Sequence, residues 1–127
     1  MISSFLYVAQ TENTGLGVFA SADIEAGTII ESSPVLVMKK EDRKLLDQTV
    51  LHDYIFEWGE KKEMCCVGLG YISIYNHSYT SNCEYKMDFA NKTISIVAVR
   101  NIESGEEIFI NYNGDWNDSK PVWFDVK

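Results

Sequence analysis

The segment 68–78, Gly-Leu-Gly-Tyr-Ile-Ser-Ile-Tyr-Asn-His-Ser, constrains the fold of this chain more than any other. An apolar run flanked by Tyr71 and Tyr75 is followed directly by three polar side chains, Asn76, His77 and Ser78. A polar group that is buried without a partner costs about 1–3 kcal/mol, so these side chains need dedicated partners. The sequence therefore predicts that another part of the fold, or a ligand, meets this segment.

Length and composition limit the class of protein. At 127 residues the chain has the size of one domain with a single core, and it contains no membrane-length apolar run of roughly 18 residues. We therefore expect no membrane association. The N-terminus has no basic residue before its short apolar run, unlike a secretory signal. A cytoplasmic location is expected, with action in a host nucleus if the chain comes from a virus or an intracellular bacterium.

Cysteine and histidine are too sparse and too irregular for a metal site. Cys65 and Cys66 are adjacent, Cys83 is the third cysteine, and His52 and His77 are the two histidines. This pattern matches neither a disulfide framework nor the ligand spacing of zinc sites. We expect buried, reduced thiols and no bound metal.

The formal charge of −8 bears on the partner. Phosphate contacts need clusters of Lys and Arg, so direct nucleic-acid binding is disfavoured. Two interpretations stay open: the acidic surface attracts a basic protein, or it only keeps the protein soluble.

Most of the chain has β patterns. The hairpin-like pair 53–58 and 64–67 is accompanied by predicted strands at 5–8, 18–20, 28–31, 35–38, 83–89, 93–99 and 107–110. Helical spacing of apolar residues between 40 and 53 predicts one long amphipathic helix. Taken alone, Gly15-Leu16-Gly17 favours a hairpin turn, because the further glycine and the helix of a dinucleotide-binding loop are missing.

One sequence pattern occurs twice. Residues 18–27 and 96–105 both read as a strand followed by a polar turn that ends in Ile-Glu-x-Gly. Two copies do not make a solenoid, so we interpret them as one type of turn used twice.

Three separated segments, 15–20, 76–83 and 105–112, occur in the order and spacing of SET domain motifs. Through them the chain resembles the protein-lysine methyltransferases of that family, and it is similar to the minimal SET proteins of large viruses and bacteria. The resemblance implies a single domain over 1–127 with a mainly β fold, the β-clip. Small curved sheets, one or two short helices and a C-terminal pseudoknot are expected, with the chain end passing beneath Asn76 and His77.

The same resemblance implies a methyl donor, S-adenosylmethionine, and a narrow channel for the substrate lysine. Tyr112 falls on the catalytic tyrosine of the last motif. The implied cofactor contacts are Gly15, Leu16, Gly17, Tyr54, Asn76, His77, Tyr112 and Trp116. The implied channel residues are Tyr54, Ser73, Tyr75, Tyr85, Tyr112 and Trp116.

Methyl transfer to a lysine is an in-line displacement by a neutral amine, so alignment is the main requirement. Tyrosine rings and oxygens suit a cation, and the carbonyls of Ser73 and Tyr75 could face the methyl group. No strong base is needed if desolvation in an apolar channel lowers the lysine pKa.

Each assignment has an alternative. Tyr112 could be a core residue whose hydroxyl pairs with the backbone, and Tyr54 and Tyr85 could be core aromatics. The Asn76-His77-Ser78 triplet is also a glycosylation sequon by its letters. A rival for the whole chain is a catalytically weak SET-like module used for binding or assembly.

The chain departs from the family after its last motif. No cysteine follows Cys83, so the zinc cluster that often follows the SET tyrosine is missing. The tail 113–127, with Trp116, Trp123 and Phe124, is expected to close the channel instead. Ser81 stands where the family commonly has proline.

The expected partner is a protein that presents a lysine in a basic segment, such as a histone tail. Carboxylates near the presumed channel would attract it, and the enzyme itself is expected to be a monomer or homodimer. These carboxylates are Glu41, Asp42, Glu57, Glu60 and Glu63.

Overall fold

The computed structural model of the protein describes residues 1–112, and the predicted roles of Trp116, Trp123 and Phe124 lie outside that range. The described chain is mainly β, as predicted, and its strands form two sheets. The strands are β1 (Leu6–Gln10), β2 (Leu16–Ala20), β3 (Ile29–Met38), β4 (Ile55–Trp58), β5 (Met64–Gly68), β6 (Asn76–His77), β7 (Cys83–Asp88), β8 (Thr93–Ala98) and β9 (Glu107–Ile110). Helix α1 (Lys40–Leu46) and a 3-10 helix (Val50–Tyr54) connect β3 to β4.

The four-stranded sheet brings the end of the described chain to the Asn76-His77 segment. Its order is β1-β2-β9-β6. Strands β1, β2 and β9 are antiparallel neighbours, whereas β6 pairs with β9 in parallel, with Asn76 opposite Phe109 and His77 opposite Ile110. A parallel pair joins segments that are distant in sequence, so this contact places β9 between β2 and β6.

The five-stranded sheet corrects one strand prediction. Its order is β4-β5-β3-β8-β7, and β3 is one continuous strand where the sequence predicted two, at 28–31 and 35–38. Pro34, which suggested a break, is opposite Thr93 of β8, and the next residue, Val35, is opposite Gly68 of β5. Proline lacks an N–H, and it is tolerated here at the point where the strand changes partner.

The predicted long helix over 40–53 is also wrong. Helix α1 ends at Leu46, and Thr49 separates it from the 3-10 helix. The Thr49 hydroxyl donates to the Leu46 carbonyl at 2.7 Å, and its oxygen accepts from the Leu51 N–H at 3.2 Å. Capping of this kind ends one helical turn and starts the next. The apolar spacing does not mark a buried face either, since Leu45 is 67% exposed.

The two Ile-Glu-x-Gly turns pair with each other. Ile24 and Ile102 form an antiparallel bridge, and reciprocal backbone bonds flank it. The N–H of Gly27 donates to Ala98, and the N–H of Gly105 donates to Ala20, both at 2.7 Å. Asp23 accepts from the N–H of Ser104 and Asn101 accepts from the N–H of Ala26, both at 2.9 Å. The two copies of the turn therefore form a local pseudo-two-fold pair whose hydrogen bonds connect the two sheets.

The hydrophobic core contains isoleucines from both sheets, among them Ile30, Ile94 and Ile108, all fully buried. All three cysteines are buried, and burial raises the pKa of the Cys66 and Cys83 thiols to about 12. Within residues 1–112, no helix has the length and apolar character needed to cross a membrane.

Candidate active site

Asn76 and His77, two of the three polar residues that follow the apolar run, find partners elsewhere in the fold, which is one of the two outcomes that the sequence predicted. Asn76 Nδ2 donates to the Leu16 carbonyl at 3.1 Å and to Glu107 Oε2 at 2.8 Å. The backbone N–H of Tyr112 donates to His77 Nδ1 at 3.0 Å. The three motif segments 15–20, 76–83 and 105–112 therefore meet at β6.

Tyr112 is held by hydrogen bonds at both its side chain and its backbone. Its hydroxyl donates to the Tyr75 carbonyl at 2.6 Å, and its own carbonyl accepts from the Tyr85 hydroxyl at 3.1 Å. Burial raises the Tyr112 pKa well above the usual range of tyrosine, and nearby Tyr54 and Asp53 raise it further. The hydroxyl therefore stays protonated and keeps its donor role at physiological pH.

A cavity of about 710 Å³ opens beside Tyr112. Four predicted channel residues lie on its wall, namely Tyr54, Ser73, Tyr85 and Tyr112. Phe56 joins them, with its ring edge-on to both Tyr85 and Tyr112 at centroid distances of 5.4 and 6.1 Å. The volume falls within the range of roughly 300–1,000 Å³ that is typical of small-molecule sites.

Tyr75 reaches the site through its backbone carbonyl, the group that the sequence analysis singled out. Its ring does not line the cavity but is fully buried, and its hydroxyl donates to Glu31 Oε1 at 2.7 Å. Only its carbonyl reaches the site, as the acceptor for Tyr112. The aromatic ring is core, while the backbone of the same residue serves the site.

The glycine segment lies against Asn76, away from the cavity wall. A Cβ atom at Gly17 would lie 2.6 Å from Glu107 Oε2 and 3.1 Å from Asn76 Nδ2, so a larger residue here would have to displace this pair. Gly15 has φ +73°, a left-handed conformation that glycine adopts readily. Burial raises the Glu107 pKa, and the hydrogen bond from Asn76 opposes that shift.

The SET domain family model matches residues 15–113 of this chain. This chain belongs to the SET domain family. It is 40% identical over 126 residues to a histone-lysine N-methyltransferase of Schizosaccharomyces pombe named as H3 lysine-37 specific, with 98% of this chain and 80% of the relative covered. The family and enzyme class, a protein-lysine methyltransferase, are thereby confirmed. Methyltransferases of this family generally use S-adenosylmethionine.

Other relatives are much longer than this chain. An H3 lysine-36 specific histone-lysine N-methyltransferase of Cryptococcus neoformans is 32% identical, with 85% of this chain and 14% of the relative covered.

Among solved structures, a Plasmodium falciparum protein assigned as a histone methyltransferase superimposes with a TM-score of 0.67 at 28% identity, covering 87% of this chain and 99% of that one. A Chaetomium thermophilum Polycomb Repressive Complex 2 structure reaches 0.72 at 23% identity, covering 91% of this chain and 15% of that one, and shares the fold. The predicted β-clip fold is confirmed.

The charges on the cavity wall of this SET domain differ from those expected. Glu57 and Glu60 lie on the wall, but Glu41, Asp42 and Glu63 do not. The wall also holds Asp53, Arg43 and Lys62, and Arg43 lies 3.9 Å from the Glu57 carboxylate. The acidic excess around the cavity is therefore smaller than the sequence suggested.

Sequence reasoning missed some residues around the site. The strand patterns include Phe56 in 53–58 and Glu31 in 28–31, and nothing in either pattern predicts a place near the site. Glu31 is fully buried, and the sequence does carry a signal for it, because a single acid follows Ile29 and Ile30 in an apolar run. Ser73 also has a second function, since its hydroxyl donates to the Tyr54 carbonyl at 2.8 Å and so fixes the cavity wall. Within the described part of the chain, no cluster of His, Cys, Asp and Glu could hold a metal ion.

Proposed function

We propose that this SET domain transfers methyl groups from S-adenosylmethionine to a lysine in a basic segment of histone H3. The main observation is the Tyr112 hydroxyl, fixed to the Tyr75 carbonyl in the wall of an aromatic cavity. The choice of histone H3 is supported by the S. pombe relative, which is named for that histone and aligns with 98% of this chain.

The residues around Asn76 fit the proposed cofactor. The Asn76 amide must direct its Nδ2 toward two acceptors, the Leu16 carbonyl and the Glu107 carboxylate. Its Oδ1 therefore remains as an acceptor, which suits a donor such as the ammonium of the methionine moiety. The rings of Tyr54, Tyr85 and Tyr112 would favour the sulfonium cation by cation–π attraction.

When bound, S-adenosylmethionine supplies an electrophilic methyl group. The protein's task is to present a neutral lysine amine in line with it. The usual lysine pKa of about 10.4 is lowered by desolvation, and the wall formed by Phe56, Met87 and Phe89 supplies apolar surface for that purpose. The hydroxyl oxygen of Tyr112 keeps an acceptor lone pair, which would orient the amine N–H.

A methyl-transfer assay with labelled cofactor tests this function. The substrates are an H3 tail peptide, the same peptide with its lysines changed to arginine, and a peptide in which acidic residues surround the same lysine. We expect label only in peptides that contain lysine. Transfer to the basic peptide should be faster than to the acidic one, and its rate should fall as salt is added. Equal transfer to the basic and acidic peptides would contradict the proposed substrate class. If calorimetry detects no binding of S-adenosylmethionine, the proposed methyl donor is wrong.

A further inference from the structure

Glu31 is a buried carboxylate that organises the segment leading to Asn76. It is fully buried in β3, and three donors converge on it. Oε1 accepts from the Tyr75 hydroxyl at 2.7 Å, and Oε2 accepts from the Ser33 hydroxyl at 2.7 Å and the Tyr71 N–H at 2.9 Å. A Cβ atom at Gly70 would collide with this carboxylate, so the chain passes very close to it.

These bonds hold the segment at both ends. Tyr71 is bonded through its backbone and Tyr75 through its side chain, so the irregular stretch between them has two anchors on one carboxylate. The carbonyl of Tyr75 is the acceptor for the Tyr112 hydroxyl. An unbroken series of contacts therefore leads from Glu31 through Tyr75 to Tyr112.

We propose that Glu31 is a positioning residue for methyl transfer: it fixes Tyr75, whose carbonyl sets the direction of the Tyr112 hydroxyl. This inference rests on the role of Tyr112 in the proposed function. Glu31 acts through Tyr75 and does not line the cavity.

The chemistry of the three donors explains why a carboxylate is needed at this position. An ionised carboxylate can accept from all three donors, whereas an amide can keep the Tyr75 contact only by donating to the hydroxyl oxygen, which replaces a charge-assisted hydrogen bond by a neutral one. Glu31→Gln therefore keeps the size of the side chain and weakens the anchor. Tyr75→Phe is narrower still, because it removes the hydroxyl and retains both the ring and the carbonyl.

The test is a double-mutant cycle. Glu31→Gln and Tyr75→Phe are each made alone and together with Tyr112→Phe. For every variant, kcat and the cofactor Kd are measured at a temperature at which circular dichroism shows that all the variants are folded. We expect each single change to lower kcat by about tenfold with little change in cofactor Kd. Added to Tyr112→Phe, neither should lower kcat further, since the hydroxyl they position is already gone.

Ser32→Ala is the matched control, because Ser32 neighbours Glu31 in β3 and its hydroxyl accepts from Ser95 of β8 at 3.0 Å. We expect its kcat to equal that of the original protein. If Glu31→Gln does not fold, Tyr75→Phe carries the same test.

Two results would overturn the inference alone: unchanged kcat in a folded Glu31→Gln or Tyr75→Phe, or the same loss with and without the Tyr112 hydroxyl. The latter marks a general structural role. A Tyr112→Phe protein with full kcat would instead refute the proposed role of Tyr112, and the positioning role would fall with it.

Discussion

Replacing Tyr112 with phenylalanine tests the centre of the proposed site. The change keeps the ring and removes one hydroxyl, whose hydrogen bond to the Tyr75 carbonyl is 2.6 Å long. From the sequence, a core role with backbone pairing and a catalytic role were alternatives. The structure combines their features, because the hydroxyl pairs with the backbone while the residue lines the cavity. Both stability and turnover should therefore change.

The expected size of each effect follows from these contacts. Losing one partly buried hydrogen bond and leaving its carbonyl acceptor unpaired should cost about 1–2 kcal/mol of unfolding free energy. For a chain of this length that corresponds to a fall in Tm of about 3–6 °C. Turnover should fall by about tenfold or more, since a group that aligns the amine is lost, and tenfold equals about 1.4 kcal/mol of activation free energy.

The assay measures methyl transfer to an H3 peptide well below the lower of the two Tm values, with cofactor affinity by calorimetry on the same preparations. Tyr7→Phe is the matched control, because Tyr7 stacks on Phe19 at the edge of the other sheet and does not line the cavity. Its turnover should equal that of the original protein. A folded Tyr112→Phe protein with the lower Tm and full turnover would show that the hydroxyl serves stability alone.

Three further predictions concern the segments that meet at β6. Asn76→Ala should weaken cofactor binding by about 1–3 kcal/mol in calorimetry, because a polar contact of the site is lost; unchanged affinity in a folded variant would exclude Asn76 from the site. Gly17→Ala should raise the cofactor Kd, since the new Cβ displaces Asn76 and Glu107. Gly105→Ala is the control: a Cβ there meets open space, so the change should strain only the turn, in which Gly105 has φ +94°, and equal cofactor affinities in the two variants would contradict the prediction. Burial lowers the His77 pKa in the folded protein, so below about pH 6.5 the unfolded chain binds a proton at His77 more readily than the folded chain does. The unfolding free energy that depends on neutral His77 is therefore lost as the pH falls through this value. The free-energy difference between the original protein and His77→Asn in urea unfolding should therefore narrow from about pH 8 to about pH 5.5; a constant difference would refute it.

Local patterns in the sequence predicted most of the strands, and the errors have local physical causes. Pro34 read as a break between strands, but a strand that exchanges one partner for another can accept a residue without an N–H. The helix prediction extended past Leu46 because apolar spacing says nothing about a threonine that caps both neighbouring turns. Single side chains determine both features, and the periodicity of apolar residues does not detect them.

The candidate site was accessible only in part. The motif residues Asn76, His77 and Tyr112 could be identified through the family resemblance, but strand periodicity alone could not predict that they meet. Their contact depends on the parallel pairing of β6 with β9, which joins residues more than thirty positions apart. Glu31 carries a sequence signal, a single acid after Ile29 and Ile30, but two of the donors that explain its burial, the Tyr71 N–H and the Tyr75 hydroxyl, lie 40 and 44 positions away along the chain.

Strand β9 pairs with β2 on one side and with the two-residue strand β6 on the other, and side chains of the 76–83 segment add further hydrogen bonds to it. Asn82 is buried, and its amide donates to the Glu107 carbonyl and accepts from the Phe109 N–H, both at 2.8 Å. Asn76 holds the Glu107 side chain, and His77 accepts from the N–H of Tyr112. The hydrogen bonds that hold β9 and the start of the segment after it therefore also involve the residues of the proposed site. A substitution that loosens β9, even far from the cavity, should thus reduce cofactor binding and stability together, because the same hydrogen bonds serve both.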